Sequence, residues 1–249
     1  RFVIERITKH TPLSKFDYQI VHRESPDARG IDVALIYRPD QFTVEEERFF
    51  RVSFPDNPDR ATRDILYARG IIDGLDTLHV FVNHWPSKYG GALVSEPGRI
   101  AAGKLVRQKV DSIKLFHPDA RIIIMGDFND TPDSRPLIEG LGASLPEKPF
   151  TADGLYNLHL PYVAKGEGTL KYQGAWEVID MMIVSKGLLN AKHGVYTTPD
   201  GGKIYRADFL LEKDERFVGV IPFRTFIGFR YHGGFSDHLP IYIDLIPNR

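Results

Sequence analysis

Four short polar clusters hold the residues of this chain best suited to chemistry. They are Asn83-His84, Asp127 with Asn129, Asp180 within WEVIDMMIVS, and Ser236-Asp237-His238. Each lies against a hydrophobic run, where a buried strand can release a polar side chain at its end. Together they offer several carboxylates, two carboxamides and two histidines, and the chain has no Cys to add a thiolate. Hard oxygen ligands of this kind suit magnesium or manganese better than zinc. Histidines held by carboxylates supply charged donors and proton transfer around an oxyanion. The set equips a chain for metal-assisted hydrolysis of a phosphate ester.

Taken singly, each cluster also has an ordinary structural meaning. Asp127 and Asn129 follow the apolar run Ile122 to Met125 and could simply close an Asx turn. His84 could be a satisfied histidine at a strand end, and Asp237-His238 a turn with an incidental His. Asp180 is the oddest of the group. It interrupts Val178-Ile179 and Met181 to Val184, where a charge is unfavourable unless paired or turned to solvent at a sheet edge. For Trp85 and Trp176 the sequence suggests core packing.

The elements that must position these residues can be read in order. Phe2, Val3, Ile4 and Ile7 suggest an amphipathic helix over 1–11, closed by Pro12. Strands are expected at Tyr18 to His22 and Ile31 to Tyr37, separated by the polar turn Glu24 to Gly30. Phe42 to Phe54 alternates loosely, with Glu45 to Glu47 as a solvated face. Arg63 to Ile72 and Thr77 to Val82 form a strand pair around Asp73-Gly74. One long helix, about Pro97 to Phe116, carries the stripe Ile100, Leu105, Val106, Val110, Ile113 and Leu115, with Lys and Arg on the other side. It leads into the central strand Arg121 to Asp127, so the sheet should be mixed. A short helix is expected at Ser134 to Gly140, then a loop-rich region to Gly168. Thr169 to Gln173 and Trp176 to Ser185 read as a strand pair. Thr225 to Tyr231 and Leu239 to Ile246 read as further strands, and Lys186 to Asp214 carries no clear pattern. No repeat or linker divides the chain, so residues 1–249 are expected to form one domain.

The bulk properties narrow the partners. The chain has 249 residues, 42% hydrophobic and 26% charged, as in an ordinary globular protein. Its net charge of -1 gives no global field to attract nucleic acid. No apolar run approaches the roughly 20 residues a membrane helix needs. The compartment is open, and a monomer is the expected state.

GDFND at Gly126 to Asp130, SDHLP at Ser236 to Pro240, the Asp of WEVIDMMIVS and the NHWPS run together resemble the endonuclease/exonuclease/phosphatase superfamily, which includes pancreatic deoxyribonuclease, abasic-site endonucleases, sphingomyelinases and inositol-polyphosphate phosphatases. RGIDVALIYR at Arg29 to Arg38 resembles a strand common in bacterial members. The resemblance runs from about Tyr18 to the C-terminus and is specific for the superfamily, not for a substrate. It implies a two-sheet α/β sandwich of the deoxyribonuclease-like type, with mixed sheets flanked by helices. By resemblance, Asp127 positions or deprotonates the attacking water, and Asn129 binds phosphate or orients that water. His238, oriented by Asp180, and His84 contact phosphate. Asn83 and Arg29 help bind substrate, and Asp237 is a metal ligand or lies next to a magnesium or manganese ion.

One departure accompanies the resemblance. Family members begin with a strand carrying an Asn and a later strand carrying a metal-binding Glu, whereas Glu5 here sits in a helical pattern. The expectation is therefore a chain lacking its first two strands, with weak magnesium binding unless Glu24 or Asp32 has taken the role. A divalent-metal phosphoesterase is the favoured reading, with a nuclease as one alternative. The other is a non-catalytic relative that binds a phosphorylated ligand or a protein. The loops expected to frame the cleft are Trp85 to Gly98, Thr131 to Arg135, Gly142 to Gly168 and Arg230 to Phe235. Their near-balance of charge favours a compact phosphate ester over a long duplex.

Overall fold

The structure, a computed structural model, describes residues 1–54, 57, 60–189 and 192–248. The chain opens with α1 (Phe2–His10) and an antiparallel pair, β1 (Gln19–His22) and β2 (Ala34–Tyr37). An antiparallel run follows: β3 (Phe42–Phe50), β4 (Ile65–Ile72) and β5 (Asp76–His84). The long helix α2 (Ala92–Phe116) crosses over to β6 (Arg121–Asp127), which lies parallel to β5. Next come β7 (Ala143–Ser144), β8 (Leu155–Asn157), one turn of helix α3 (Leu160–Val163), the hairpin β9 (Leu170–Tyr172) and β10 (Ala175–Glu177), and β11 (Asp180–Ser185). The rest is short: α4 (Lys186–Leu189), β12 (Gly194–Tyr196), β13 (Lys203–Ile204), β14 (Leu211–Lys213), β15 (Val220–Pro222), β16 (Phe226–Ile227), β17 (Arg230–Tyr231), β18 (Ile241–Tyr242) and β19 (Ile246–Asn248).

Seven strands form one mixed sheet in the order β3-β4-β5-β6-β11-β8-β7. Its central strands are mainly apolar because both faces are covered. On β6, Ile122 and Ile124 face the α2 side, packing with Ala102, Val106 and Val110, while Ile123 faces the other side with Val80, Val184 and Val195. Each such side chain stabilises the fold by roughly 1.5–3 kcal/mol on burial. The second β layer covers the face opposite α2. Residues of β2 and β12, with Ile243 and Leu245, pack there, and Val21 of β1 and Val33 join the adjoining cluster. The fold is thus the expected α/β sandwich of deoxyribonuclease-like type. Its second layer consists of two-stranded ladders, β1-β2, β12-β19 and β13-β18, rather than one continuous sheet.

Several expected elements differ in detail. The helix begins at Ala92, so Pro97 lies inside it rather than at its start. Arg99, expected on the solvent side, is only 1% exposed. Its guanidinium donates to Asp130 Oδ2 at 2.8 Å, Ser95 Oγ at 2.7 Å and the Ala92 carbonyl at 2.9 Å, tying the helix start to the loop after β6. Leu115, counted in the apolar stripe, is exposed. The expected short helix is a π-type turn, Pro136–Leu141, packed so closely on α2 that a Cβ on Gly103 would lie 2.7 Å from the Pro136 carbonyl oxygen.

Trp176 to Ser185 is not one strand. Its first part pairs with β9, and its second part enters the main sheet. Trp176 is half-exposed rather than core, with the Arg206 guanidinium 4.3 Å from its ring centroid, whereas Trp85 is buried as expected. Thr225 to Tyr231 folds into a hairpin, not a strand, because Gly228 (φ 59°) lets the chain reverse between β16 and β17. Leu239 to Ile246 likewise splits, into β18 and the start of β19. Ile31 to Tyr37 is strand only from Ala34, and it is half-buried rather than buried.

Candidate active site

β5 and β6 run parallel and end at the same edge of the sheet, and β11, antiparallel to β6, begins there. The register sets His84 opposite Asp127, and Asp127 opposite Asp180. Residues directly opposed across a ladder share a face, so three of the sequence-identified groups form one row across adjacent strands. His84 Nε2 lies 3.5 Å from Asp127 Oδ2. Gly126 makes the close packing of β5 and β6 feasible: its φ is 130°, and a Cβ there would fall 2.0 Å from the Asn83 carbonyl oxygen.

The fourth group arrives from the C-terminal segment. His238 forms an isolated bridge with Leu170, and the Leu239 N–H donates to the Thr169 carbonyl at 2.7 Å. This brings His238 Nδ1 to 2.8 Å from Asp180 Oδ2. Thr169 also steadies Asp180, since its hydroxyl oxygen accepts the N–H groups of Ile179 and Asp180 at 3.3 and 3.2 Å. Asp180 is therefore not on an edge strand but at the head of an interior one.

Asp127 and Asn129 realise the Asx turn as well as the site. Asp127 Oδ1 accepts the Asn129 N–H at 2.7 Å, and Asn129 takes φ 50°. The Asn129 amide nitrogen donates to Asp127 Oδ2 at 3.2 Å and to the Trp85 carbonyl at 2.9 Å.

The electrostatics divide the row. Burial, reinforced by repulsion from Asp180, raises the Asp127 carboxyl to about 6, although His238 draws it back. For His238, burial opposes the charged ring, but the hydrogen bond and charge of Asp180, with Asp127 and Asp237 beyond, lift it to about 9. Burial, with the positive charges of Arg63, Arg29 and His238, lowers His84 to about 4. At neutral pH the row holds an imidazolium at His238, a neutral imidazole at His84 and a carboxylate at Asp127 near its titration range. The His84–Asp127 contact is then a hydrogen-bond approach rather than an ion pair.

Among the described residues, Asp127, Asp180 and His238 form one group of potential metal ligands, with ligand atoms all within 4.8 Å of one another. Asp237 is exposed and stands outside this trio. Asn83, expected to bind substrate, turns inward instead. It is 2% exposed, accepts the Trp85 indole N–H at 3.0 Å and donates to the Met125 carbonyl at 3.3 Å, so it holds the loop after β5 in place. Arg29 is exposed, with its guanidinium on the Asp27 carboxylate at 3.2 and 3.3 Å. Glu24 and Asp32 do not join the cluster of potential ligands; Asp32 accepts from the Ser25 N–H and faces His22.

Sequence reasoning missed Arg63, Asp27 and Thr169. Arg63 is buried and donates to Asp27 Oδ2 at 3.0 Å and to the Trp85 carbonyl at 2.5 Å. The only hint was a charged pair, Arg63-Asp64, placed directly before an apolar strand. The framing loops also differ from expectation. Arg135 is tied to Glu139 and Glu96. The carbonyls of 152–154 are held by Arg107 and Lys114, on the part of α2 that leads away from the site. Lys88 does stand nearby, 3.6 Å from both Asp130 and Glu177.

No curated protein sequence matches the chain. Solved structures do resemble it in fold. The human Nocturnin catalytic domain with bound sulfate anion is 17% identical, covering 98% of this chain and 78% of its own, with a TM-score of 0.58. Truncated TDP2 of Caenorhabditis elegans is 19% identical, covering 92% of this chain and 75% of its own, with a TM-score of 0.54. A mannosyl-6-phosphatase of Bacteroides thetaiotaomicron is 16% identical, covering 97% of this chain and 80% of its own, with a TM-score of 0.55. A family model described as the Endonuclease/Exonuclease/phosphatase family matches residues 1–246. With that match over nearly its whole length and a fold to accord with it, the chain belongs to the endonuclease/exonuclease/phosphatase family.

Proposed function

We propose that this protein is a divalent-metal-dependent phosphoesterase that cleaves compact phosphate esters. The observation that carries the reading is the row at one sheet edge in which a carboxyl near 6, Asp127, stands within reach of an imidazolium near 9, His238. Asp127 is tuned to accept a proton from water at neutral pH, where a general base is most effective. His238, kept charged by Asp180, faces the same space with a donor for a phosphate oxygen. Neutral His84 can donate a second hydrogen bond there, and the Asn129 carboxamide can orient the water or the phosphate.

The donor set fits a divalent ion. Asp127 and Asp180 repel each other, which is part of what raises Asp127; a cation between them would relieve that repulsion and lower Asp127, whose part with the ion bound would be to position the water rather than to deprotonate it. His238 is protonated and is not a ligand in that state, so Asp127 and Asp180 would hold the ion, with Asp237 as the exposed carboxylate beside them. A bound ion would neutralise charge on the phosphate. Two carboxylates plus waters make a weak site for magnesium, which dehydrates reluctantly. Calorimetry is therefore expected to find weak magnesium binding, and tight stoichiometric binding would contradict the assignment.

Substrate class follows from the surroundings of the row. In the framing loops Lys88 and Arg135 are already matched by carboxylates, and the arginines beside Asp27 line a single cavity rather than a track along which a duplex backbone could run. With manganese or magnesium, the protein is expected to hydrolyse bis(p-nitrophenyl) phosphate and to bind duplex DNA weakly at physiological salt. Rapid processive degradation of plasmid DNA under those conditions would favour the nuclease reading. Binding of phosphate without turnover of any ester would favour a non-catalytic role.

A further inference from the structure

Beside the row lies a cavity of about 330 Å³ whose walls include Arg29, Arg60, Thr62, Arg63 and Ser87. Among the described residues, three arginines (Arg29, Arg60, Arg63) line it together with one carboxylate, Asp27. Two of its groups are buried and lack partners. Thr62, 4% exposed, leaves its hydroxyl oxygen unbonded, and Arg63, 3% exposed, uses both terminal nitrogens but not Nε. A buried donor with nothing to bond is unfavourable by about 1–3 kcal/mol, more when charged, so two on consecutive residues of one cavity wall mark a place where an anion would be stabilised.

Arg60 has its guanidinium 4.5 Å from the Phe54 ring centroid, where the aromatic face steadies it without using its N–H groups. The donors present are a hydroxyl and planar guanidinium edges, the chemistry that recognises a phosphate. The cavity is joined to the row through one atom. The Trp85 carbonyl oxygen accepts from Arg63 on one side and from Asn129 on the other.

We propose that this cavity is a subsite for a second, non-reacting phosphate of the substrate, whose first phosphate lies at Asp127 and His238. The assignment of the first phosphate rests on the phosphoesterase reading, whereas the anion site itself does not. A substrate with two phosphates would be held at both ends, so binding at the distant one would align the reacting one.

Inorganic phosphate titrated into 15N-labelled protein tests the anion site without any need for activity. The Arg63 Nε–H resonance is expected to shift saturably, and Arg60→Ala is expected to weaken that response by about tenfold, the loss of one charge-assisted contact. Thr62→Val, which keeps shape and removes the hydroxyl, should weaken it in the same direction. An Arg63 Nε–H signal that stays in place, or an Arg60→Ala protein with unchanged affinity, overturns the proposal. The second arm compares kcat/KM for a phosphodiester with and without a second phosphate. A preference for the bisphosphorylated compound that falls in Arg60→Ala supports the subsite, and equal values overturn it. If Arg63 responds to phosphate but no ester is hydrolysed, the anion site stands and the phosphoesterase reading falls.

Discussion

An Asp180→Asn protein is expected to lose about two to four orders of magnitude in kcat, the range that a positioned proton-transfer group contributes. Measured without added metal, binding of unreacted phosphate ester should change far less, because there the variant removes only the group that charges and aims His238. Asp180 Oδ2 lies 2.8 Å from His238 Nδ1, and its bond and charge, working against burial, hold the imidazolium at about 9. An Asn in that place keeps the size of the side chain but supplies no negative charge. The basic limb of the pH–rate profile should therefore move to lower pH in the variant, a shift that a merely structural role would not produce. His238→Ala combined with Asp180→Asn should be little worse than either alone, because the two act as a unit. Turnover at the parental rate in Asp180→Asn would sink the assignment.

Acidification should unfold the protein through a different residue. His79 on β5 is 5% exposed, and its Nδ1 lies 2.8 Å from the Tyr67 hydroxyl. Burial, helped by the charges of Arg69 and His117, takes it from the ordinary 6.5 to about 4. Burial likewise lifts Tyr67 to about 12, so the phenol stays neutral and donates while the imidazole accepts. A folded-state value below the unfolded one means that the unfolded chain binds the proton first. The stabilisation is complete above pH 6.5 and is lost as pH falls toward 4, by about 3 kcal/mol from this group alone. His84 and His159 are lowered by burial as well and add to the same trend. Urea unfolding at pH 7, 5 and 4 checks the effect. His79→Gln keeps an acceptor for Tyr67 but cannot titrate, so its stability should fall less steeply over that window. Parallel curves for the two proteins would contradict this account.

The parts of the site that the sequence revealed are those governed by local pattern. Ile122 to Met125 had to be a strand covered on both sides, and its end had to release Asp127 and Asn129. The row itself was not legible, because nothing in the spacing from 84 to 127 to 180 states which strands are neighbours or in what register. Asn83 was misread for a related reason. A carboxamide at a strand end looks available, yet whether it faces ligand or indole depends on where Trp85 packs. Arg63 and Arg99 were overlooked because a buried arginine resembles any surface charge until its carboxylate partner, Asp27 or Asp130, is brought beside it by the fold. The two- and three-residue ladders β13-β18 and β12-β19 of the second layer fell below the length at which alternation can be recognised.

The bridge at His238 joins it to the β9-β10 hairpin and not to the seven-stranded sheet. His84, Asp127 and Asp180 belong to strands paired on both sides, whose amides open only when the whole sheet does. His238 is joined through its bridge to Leu170, the bond from the Leu239 amide to the Thr169 carbonyl and the bond of its ring to Asp180. The loop that carries His238 can therefore open at lower free energy than the sheet, while β18 and β19 beyond it stay paired with β13 and β12. Native-state hydrogen exchange should find the Leu239 amide opening well before those of Ile124 and Met181, and activity should fade at denaturant concentrations where the sheet is still intact. Coincident exchange of the three amides would exclude such an opening. The imidazolium would then be the first component of the centre to be lost and the last to be regained on refolding.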